Sequence, residues 1–336
     1  MVRERVSLAP LTSFRIGGPA RFFIEAEDEH RVREACVCAR ERQLPLLPLG
    51  GGSNILVPDA GVEAVVVKVT VGGIAYDAEH GLLQAGAGVS WDQVVRYATS
   101  HGLWGIENLA GIPGSAGGAL VQNIGAYGAE VSHVFAHAEA IDTTTGALVR
   151  VGHADARLGY RTSVFKERRE LIIVRIALTL AREGASNLTY TDLLRAKSQG
   201  IPLATPHDIA GAVRAIRAEK FPTPPEGGTA GSFFKNPSLC PEDVERLRRQ
   251  YPALPLYPQS DGRTKVSLAW ILDHILTLKG HAKGRAHLYE KQPLVIVAEE
   301  GAHAGEVDAL AREVAERVYG TTGIAIEREV ETFGTA

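Results

Sequence analysis

Residues 111–130 read GIPGSAGGALVQNIGAYGAE, six glycines threaded among Gln, Asn, Ile and Tyr. Glycine loses more backbone freedom on folding than any other residue, so a cluster persists where the chain needs positive φ or where something must touch the main chain. A flexible spacer would hold little besides Gly and Ser. Here Ile112, Leu120, Val121, Ile124 and Tyr127 recur between the glycines as if packed against a neighbour, which reads as an ordered ligand loop. Gln122 and Asn123 can hydrogen-bond the edge of a heterocycle, and exposed N–H groups can form a concavity for an anion.

The rest of the chain sets the frame for that loop. At 336 residues it exceeds the size at which one core stops growing, so two or three domains are expected. An apolar fraction of 45% is ordinary for a globular protein. The net charge of −3 and the absence of a basic run argue against nucleic acid as a partner. No apolar stretch approaches the roughly 20 residues that span a bilayer, and MVRERVSLAPLTSF lacks the apolar centre of a signal peptide. The expectation is a cytoplasmic protein that is not bound to a membrane. Cys36, Cys38 and Cys240 give neither a disulfide framework nor a zinc spacing and read as small buried apolar residues. The histidines are scattered, HExxH is absent, and no metal is expected.

Periodicity gives mixed α and β structure without an internal repeat. ARFFIEAE (20–27), LPLLPL (44–49), VEAVVVKV (62–69) and LIIVRIALTL (171–180) read as strands, and HRVREACVCARERQ (30–43) as a helix. Ser90 and Gln93 form a capping box for a helix through about Ser100, which Gly102 would stop. Thr205 caps and Pro206 starts a helix to about Lys220, broken by FPTPPEGG. PEDVERLRRQ, SLAWILDHILTLKG with Ser267 as cap, and GEVDALAREVAERVYG read as helices, and QPLVIVAEE as a strand. These place a second domain at about 214–321. The tail GIAIEREVETFG alternates as a strand and would return to the first unit.

PLGGGSN (48–54) follows a strand with three successive glycines, but it continues into extended ILVPDAG instead of opening a helix. It is therefore not a dinucleotide fingerprint. A tight structural turn and a phosphate nest both stay open for it alone; paired with the loop at 111–130 it points to a bound diphosphate such as that of FAD. Arg161 in YRTSVFK, Ser232 in GTAGSFFKNP and Glu329 in IEREV each have a plain reading by composition, as a solvated charge, a turn residue and the outward face of a strand.

Taken together, SFRIGG at 13, LGGGSN at 49, GIPGSAGG and QNIGAYGAE from 111, YRTSVFK at 160, LTYTDL at 188, GSFFKNP at 231, YPQSDG at 257 and EREV at 327 resemble the UDP-N-acetylenolpyruvoylglucosamine reductase family of peptidoglycan synthesis. LTYTDL and YRTSVFK resemble the longer of its two architectural types. The resemblance implies an α+β fold: an FAD-binding module of the vanillyl-alcohol-oxidase (PCMH) type, with lobes at 1–70 and 71–213 joined by the strand 322–336, and an inserted α+β substrate domain at 214–321. It implies non-covalent FAD on Gly50, Gly51, Gly52, Ser53, Asn54, Ile112, Pro113, Gly118, Gln122, Gly125, Ala126, Tyr127 and Arg217, with NADPH as co-substrate. Hydride would pass from NADPH to flavin N5 and then to C3 of an enolpyruvyl ether of a UDP-sugar, in ping-pong fashion. Ser232 would protonate C2, Arg161 would pair with the substrate carboxylate, and Glu329 would act beside it as a carboxylic acid with a raised pKa. Tyr190, Lys220, Asn236, Tyr257, Lys265 and Gln292 would hold the nucleotide part. The expected assembly is a monomer.

This chain departs from the family pattern at Gly51, where relatives often carry Glu or Ala, at Glu331 in place of a common Arg, and at Thr229 in place of a common Asn. Two other readings compete: a flavin-dependent oxidase of the same fold acting on a small alcohol, which has no need of GSFFKNP, and a nucleotide-sugar binding protein without a flavin, which would purify colourless.

Overall fold

The structure is a computed structural model that describes residues 1–184, 187–222, 226–259 and 261–334. It divides into two units, Met1–Val6 with Ala20–Gly52 and Glu63–Glu219, and Ser7–Pro19 with Ser53–Val62 and Lys220–Ala336. The expected three-part division differs in where 7–19, 53–62, 214–219 and the C-terminal segment fall. Residues 223–225 of the FPTPPEGG breaker and Ser260 of YPQSDG lie outside the described residues.

The first unit carries two sheets. Strands Arg3–Ser7, Pro19–Ala26, Val62–Val69 and Leu46–Leu49 lie in that order, the last two parallel. The helix Glu29–Arg42 starts where the Asp28 carboxylate accepts from Arg31 N (2.8 Å) and ends at Gln43 in the left-handed region. It buries Val32, Ala35, Cys36, Cys38 and Ala39, so two of the three cysteines are core residues as expected. The second sheet is antiparallel: Leu148–Gly152, Phe135–Asp142, Leu171–Thr179, Leu82–Gly86 and Ile74–Asp77. Leu171–Thr179 is paired on both edges and buried over Leu171, Ile172, Ile173 and Val174, which explains its unbroken apolar run.

The helix Trp91–Ser100 forms, but Ser90 makes no side-chain cap. The backbone does the work of a capping box: the Ser90 carbonyl accepts from Gln93 N (3.0 Å), and Trp91 N donates to the Gly114 carbonyl (3.0 Å). A reciprocal cap does form at Thr205, whose hydroxyl accepts from Asp208 N (3.1 Å) while its own N–H donates to the Asp208 carboxylate (3.0 Å). Pro206 then opens the helix Pro206–Lys220.

In the second unit the helices Pro241–Gln250 and Ala304–Thr322 fall where periodicity puts them. Val307, Leu310, Val314 and Val318 of the longer one are fully buried, about 1.5–3 kcal/mol each. Cys240 is only half-buried, because it precedes Pro241 at the helix start and donates to Asp243 (3.4 Å). The helix expected over 267–280 is shorter. Ser267 caps Leu268–Trp270, the turn widens to a π-helix over Ile271–Ile275, and Thr277 in the left-handed region ends it. QPLVIVAEE keeps ladder pairing only over Ile296–Ala298, the edge of a three-stranded sheet with Ala286–Leu288 and Ala282–Lys283. Among the described residues the tail forms a strand only at Glu331–Thr332, which pairs in parallel with Ile55–Leu56, inside the segment 1–70 expected as the first cofactor lobe.

Candidate active site

In the first unit the two glycine-rich loops meet main chain to main chain. A Cβ on Gly51 would stand 2.5 Å from the Gly114 Cα, and one on Gly50 would stand 2.7 Å from the Ser115 Oγ. Gly51 is thus the residue this loop geometry accepts. Lys68, on the strand beside Leu49, donates its ammonium to the Gly50 carbonyl, and burial pulls its pKa down. Sequence reasoning missed this lysine, which follows a run of three valines in its strand.

Downstream, Ser115 caps the short helix Ala116–Val121 by accepting from Gly118 N (3.3 Å). The amides of Ala116 and Gly117 donate to Val89 and Ala87 carbonyls (2.8 and 2.9 Å), so this helix start is tied to the sheet and does not present a bare row of donors. Asn123 is consumed by the fold. Buried at φ +40°, it donates to the Gly159 carbonyl (2.9 Å) and Glu130 (3.1 Å) and accepts from Ser132 N (2.9 Å), which removes it as a heterocycle contact.

Arg161 docks on this turn. Its Nη2 donates to the Gly125 carbonyl (3.0 Å), its Nη1 reaches the Asn123 carbonyl (3.4 Å), and its guanidinium lies 5.3 Å from the centre of the Tyr160 ring. A Cβ on Gly125 would stand 2.8 Å from Glu130 Cγ and 3.1 Å from the Ala129 carbonyl oxygen, so it is this side of the turn that the glycine relieves, while Arg161 Nη1 at 3.4 Å would be in ordinary contact. Tyr127 is buried at φ +49°, and burial pushes its phenol up to about 12 despite the opposing pull of Arg217. Its ring meets the exposed Tyr190 edge to face at 5.1 Å.

Arg217 Nε donates to the Gly111 carbonyl (3.1 Å), while Gly111 N donates to the Asp92 carboxylate (2.8 Å), which also accepts from Arg214 Nε (2.9 Å) and Arg96 Nε (2.8 Å). Burial works against ionised Asp92, but the Gly111 amide and Arg214 outweigh it and hold the carboxyl below its ordinary range. Asp92 and Arg214 were not singled out from sequence. The only available signal was that Arg214 precedes Arg217 by one helical turn.

In the second unit, the segment carrying Ser232 runs between two others. Ser232 bridges Val295, Phe233 N donates to the Leu294 carbonyl (2.7 Å), and on the other side Glu329 N donates to the Phe233 carbonyl (2.8 Å). Lys235 N donates to Glu327 (2.9 Å). The buried Phe233 and Phe234 anchor this arrangement. Ser232 and Glu329, both half-buried, are thereby backbone neighbours, and Gln292 stands in the tight turn that precedes Val295, whose N–H donates to the Gln292 carbonyl (2.9 Å). Asn54 Nδ2 donates to the Glu329 carbonyl (3.0 Å), and Glu331 N returns a bond to Asn54 O (3.1 Å). Tyr257, exposed, is paired across the ladder with Lys265, and Asn236 Oδ1 accepts from Leu268 N (3.0 Å). Lys220 ends the helix Pro206–Lys220.

The two loops in backbone contact suit the diphosphate and ring system of a flavin, and residues 20–152 match the family described as FAD binding domain. Residues 223–333 match the family described as UDP-N-acetylenolpyruvoylglucosamine reductase, C-terminal domain. The chain is 40% identical to UDP-N-acetylenolpyruvoylglucosamine reductase of Pseudomonas aeruginosa over 337 residues (99% of each chain) and 36% identical to that of Escherichia coli (strain K12) over 333 residues (98% and 96%). It resembles the crystal structure of UDP-N-acetylenolpyruvylglucosamine reductase from Thermus caldophilus with a TM-score of 0.70 at 26% identity, covering 99% of this chain and 100% of that one. The chain belongs to the UDP-N-acetylenolpyruvoylglucosamine reductase family. Its α+β fold, with an FAD-binding module of the PCMH type, is that of the family.

Proposed function

We infer that the protein is an FAD-containing oxidoreductase that uses NADPH to reduce the enolpyruvyl ether of UDP-N-acetylglucosamine to UDP-N-acetylmuramate, a step in the synthesis of peptidoglycan precursors. The observation that carries this reading is the bond from Glu329 N to the Phe233 carbonyl, which makes neighbours of Ser232 and Glu329 within the family's C-terminal domain.

Gly50 to Asn54 would hold the flavin diphosphate. Ile112, Pro113, Gly118, Gln122, Gly125, Ala126, Tyr127 and Arg217 would surround the rest of the cofactor. When bound, the flavin supplies a two-electron carrier that accepts hydride from NADPH and delivers it to C3 of the substrate.

The chain's own side chains do the remaining work. Arg161 offers a planar fork to the substrate carboxylate, and its docking on the Gly125 carbonyl fixes the fork before substrate arrives. As negative charge builds at C2 and spreads into that carboxylate, a fixed guanidinium stabilises it without reorganising. The Ser232 hydroxyl delivers the proton to C2; serine is a weak acid and gives up a proton only to a strongly basic partner. Glu329, as the protonated acid, donates a hydrogen bond to the same carboxyl group. Tyr190, Lys220, Asn236, Tyr257, Lys265 and Gln292 hold the nucleotide: lysines and amides against the diphosphate, tyrosine over the uridine.

The functional division follows as cofactor lobes at 1–70 and 71–213, joined by 322–336, and a substrate domain at 214–321. The protein acts as a cytoplasmic monomer. No helix among the described residues is long and apolar enough to cross a membrane. Purified protein is expected to consume NADPH beyond one equivalent per flavin only when the enolpyruvyl nucleotide sugar is present. A colourless preparation, or NADPH oxidation that depends on oxygen alone, overturns the reading.

A further inference from the structure

Asn108 is 1% exposed and lies in the 3-10 turn Glu107–Leu109. The turn is pinned on both sides: the Glu107 carboxylate accepts from Gly105 N (2.6 Å), and the Leu109 carbonyl accepts from the Trp91 indole (3.0 Å). From this fixed point the Asn108 Nδ2 donates to two carbonyls, Tyr127 at 2.7 Å and Asn187 at 2.9 Å. Two carbonyl partners require the NH₂ end of the amide, so its orientation is determined. The opposite end, Oδ1, is buried with no hydrogen-bond partner among the described residues. A buried acceptor without a partner costs stability, and an apolar residue would avoid that cost. What the side chain contributes in return is what its NH₂ holds.

What it holds is a junction. Asn187 lies over Gly128, whose Cβ would stand 2.7 Å from Asn187 Nδ2, and that amide donates to the Gly128 carbonyl (2.9 Å). Asn187 Oδ1 accepts from the Thr189 hydroxyl (2.7 Å) and N–H (3.2 Å), and the next residue, Tyr190, packs on Tyr127. The helix Thr191–Ser198 has its own anchors in the buried Leu193 and Ala196, so the amide chain specifically serves 187–190.

We propose that Asn108 is a positioning residue for substrate, one buried amide that sets the Tyr127 turn and the Tyr190 segment as a single body. This rests on the reading above that Tyr190 closes over the uridine. The prediction is a loss of nucleotide affinity without a loss of chemistry.

The test compares Asn108→Asp, which keeps the shape but removes the donor, Asn187→Ala, whose exposed side chain does not endanger folding, and Tyr190→Ala. Holoenzyme is titrated calorimetrically with UDP-N-acetylmuramate, flavin content is measured, and KM and kcat are separated. All three variants are expected to bind about tenfold more weakly, the effect of losing one or two such hydrogen bonds, with KM raised and kcat within twofold, and with flavin content unchanged in Asn187→Ala and Tyr190→Ala, which leave the bond to the Tyr127 carbonyl in place. Hydrogen exchange in 187–190 of the unliganded holoenzyme is expected to rise in Asn108→Asp. If Asn108→Asp does not accumulate, Asn108→Ala, which removes both donated bonds without burying a charge, takes its place, because Asn187→Ala leaves the backbone carbonyl that Asn108 holds. Unchanged affinity in the asparagine variants with weakened Tyr190→Ala overturns the role of Asn108 alone. Unchanged affinity in Tyr190→Ala overturns the uridine reading and the inference together.

Discussion

The Asn54 side chain donates to the Glu329 carbonyl at 3.0 Å, tying the end of the GGGSN loop to the segment that carries the proposed acid. A residue expected to touch cofactor therefore also sets the backbone of a residue expected to touch substrate. Asn54→Ala should lower stability by about 1 kcal/mol and, because a displacement of about 1 Å costs up to 10²-fold in rate, lower kcat by roughly 10- to 100-fold. Steady-state kinetics on flavin-saturated enzyme checks this. A kcat within twofold of the parent would show that the bond does not position Glu329.

Asp92 should matter at acid pH. Its carboxyl is held below the ordinary value of about 3.9. The stability it contributes is therefore complete above about pH 4 and is lost as pH falls through the depressed folded value. Asp92→Asn also leaves Arg214 partly buried with its charge unbalanced, a cost of about 2 kcal/mol. Urea unfolding of the two proteins should differ at pH 7 and converge in acid, and the variant should retain FAD less tightly through its looser Gly111 loop.

Tyr127 gives the opposite sign at alkaline pH. Burial raises its phenol to about 12, against about 10 in the unfolded chain. Its contribution is present below pH 10 and is lost as pH rises toward 12, at most about 2–3 kcal/mol. Ultraviolet titration of the parent against Tyr127→Phe should reveal one phenol that ionises near 12. A difference curve centred near 10 would mean the ring is solvated.

Arg161→Lys keeps the positive charge and loses the fork, along with the Nη2 bond to the Gly125 carbonyl. The variant should purify with a full flavin complement and show kcat/KM lowered by about 10²–10³. Near-parental activity would reduce Arg161 to a structural strut of the 123–125 turn.

Local signals in the sequence were legible wherever the physics is local. Thr205, Pro206 and Asp208 announce the helix Pro206–Lys220 because a cap involves residues three apart. The run LIIVRIALTL announces a doubly paired strand because burial on both faces leaves no alternation. Ser90 misled because its own backbone carbonyl, and not its hydroxyl, took the Gln93 amide that a capping box uses. The tail alternates as a strand over 323–334, yet only Glu331–Thr332 forms a strand pair, with Ile55–Leu56.

The candidate site follows the same division. Its glycine loops are visible as composition, whereas Asp92, Arg214, Lys68 and Asn108 act through partners far along the chain, which the helical spacing of Arg214 from Arg217 and the lysine in a valine-rich strand do not identify. Asn123 looked like a ligand contact because an amide in a glycine-rich loop has two uses, and only the positions of Gly159, Glu130 and Ser132 decide between them.

The most direct test separates the two halves of turnover in Ser232→Ala. Under anaerobic conditions the variant is mixed first with NADPH and then with the enolpyruvyl nucleotide sugar, while the visible flavin absorption is followed. Bleaching by NADPH at close to the parental rate, followed by recovery slowed at least about 10²-fold, is the predicted result. Recovery at the parental rate would contradict the assignment of Ser232 as the proton donor and, with it, the catalytic arrangement proposed for this chain.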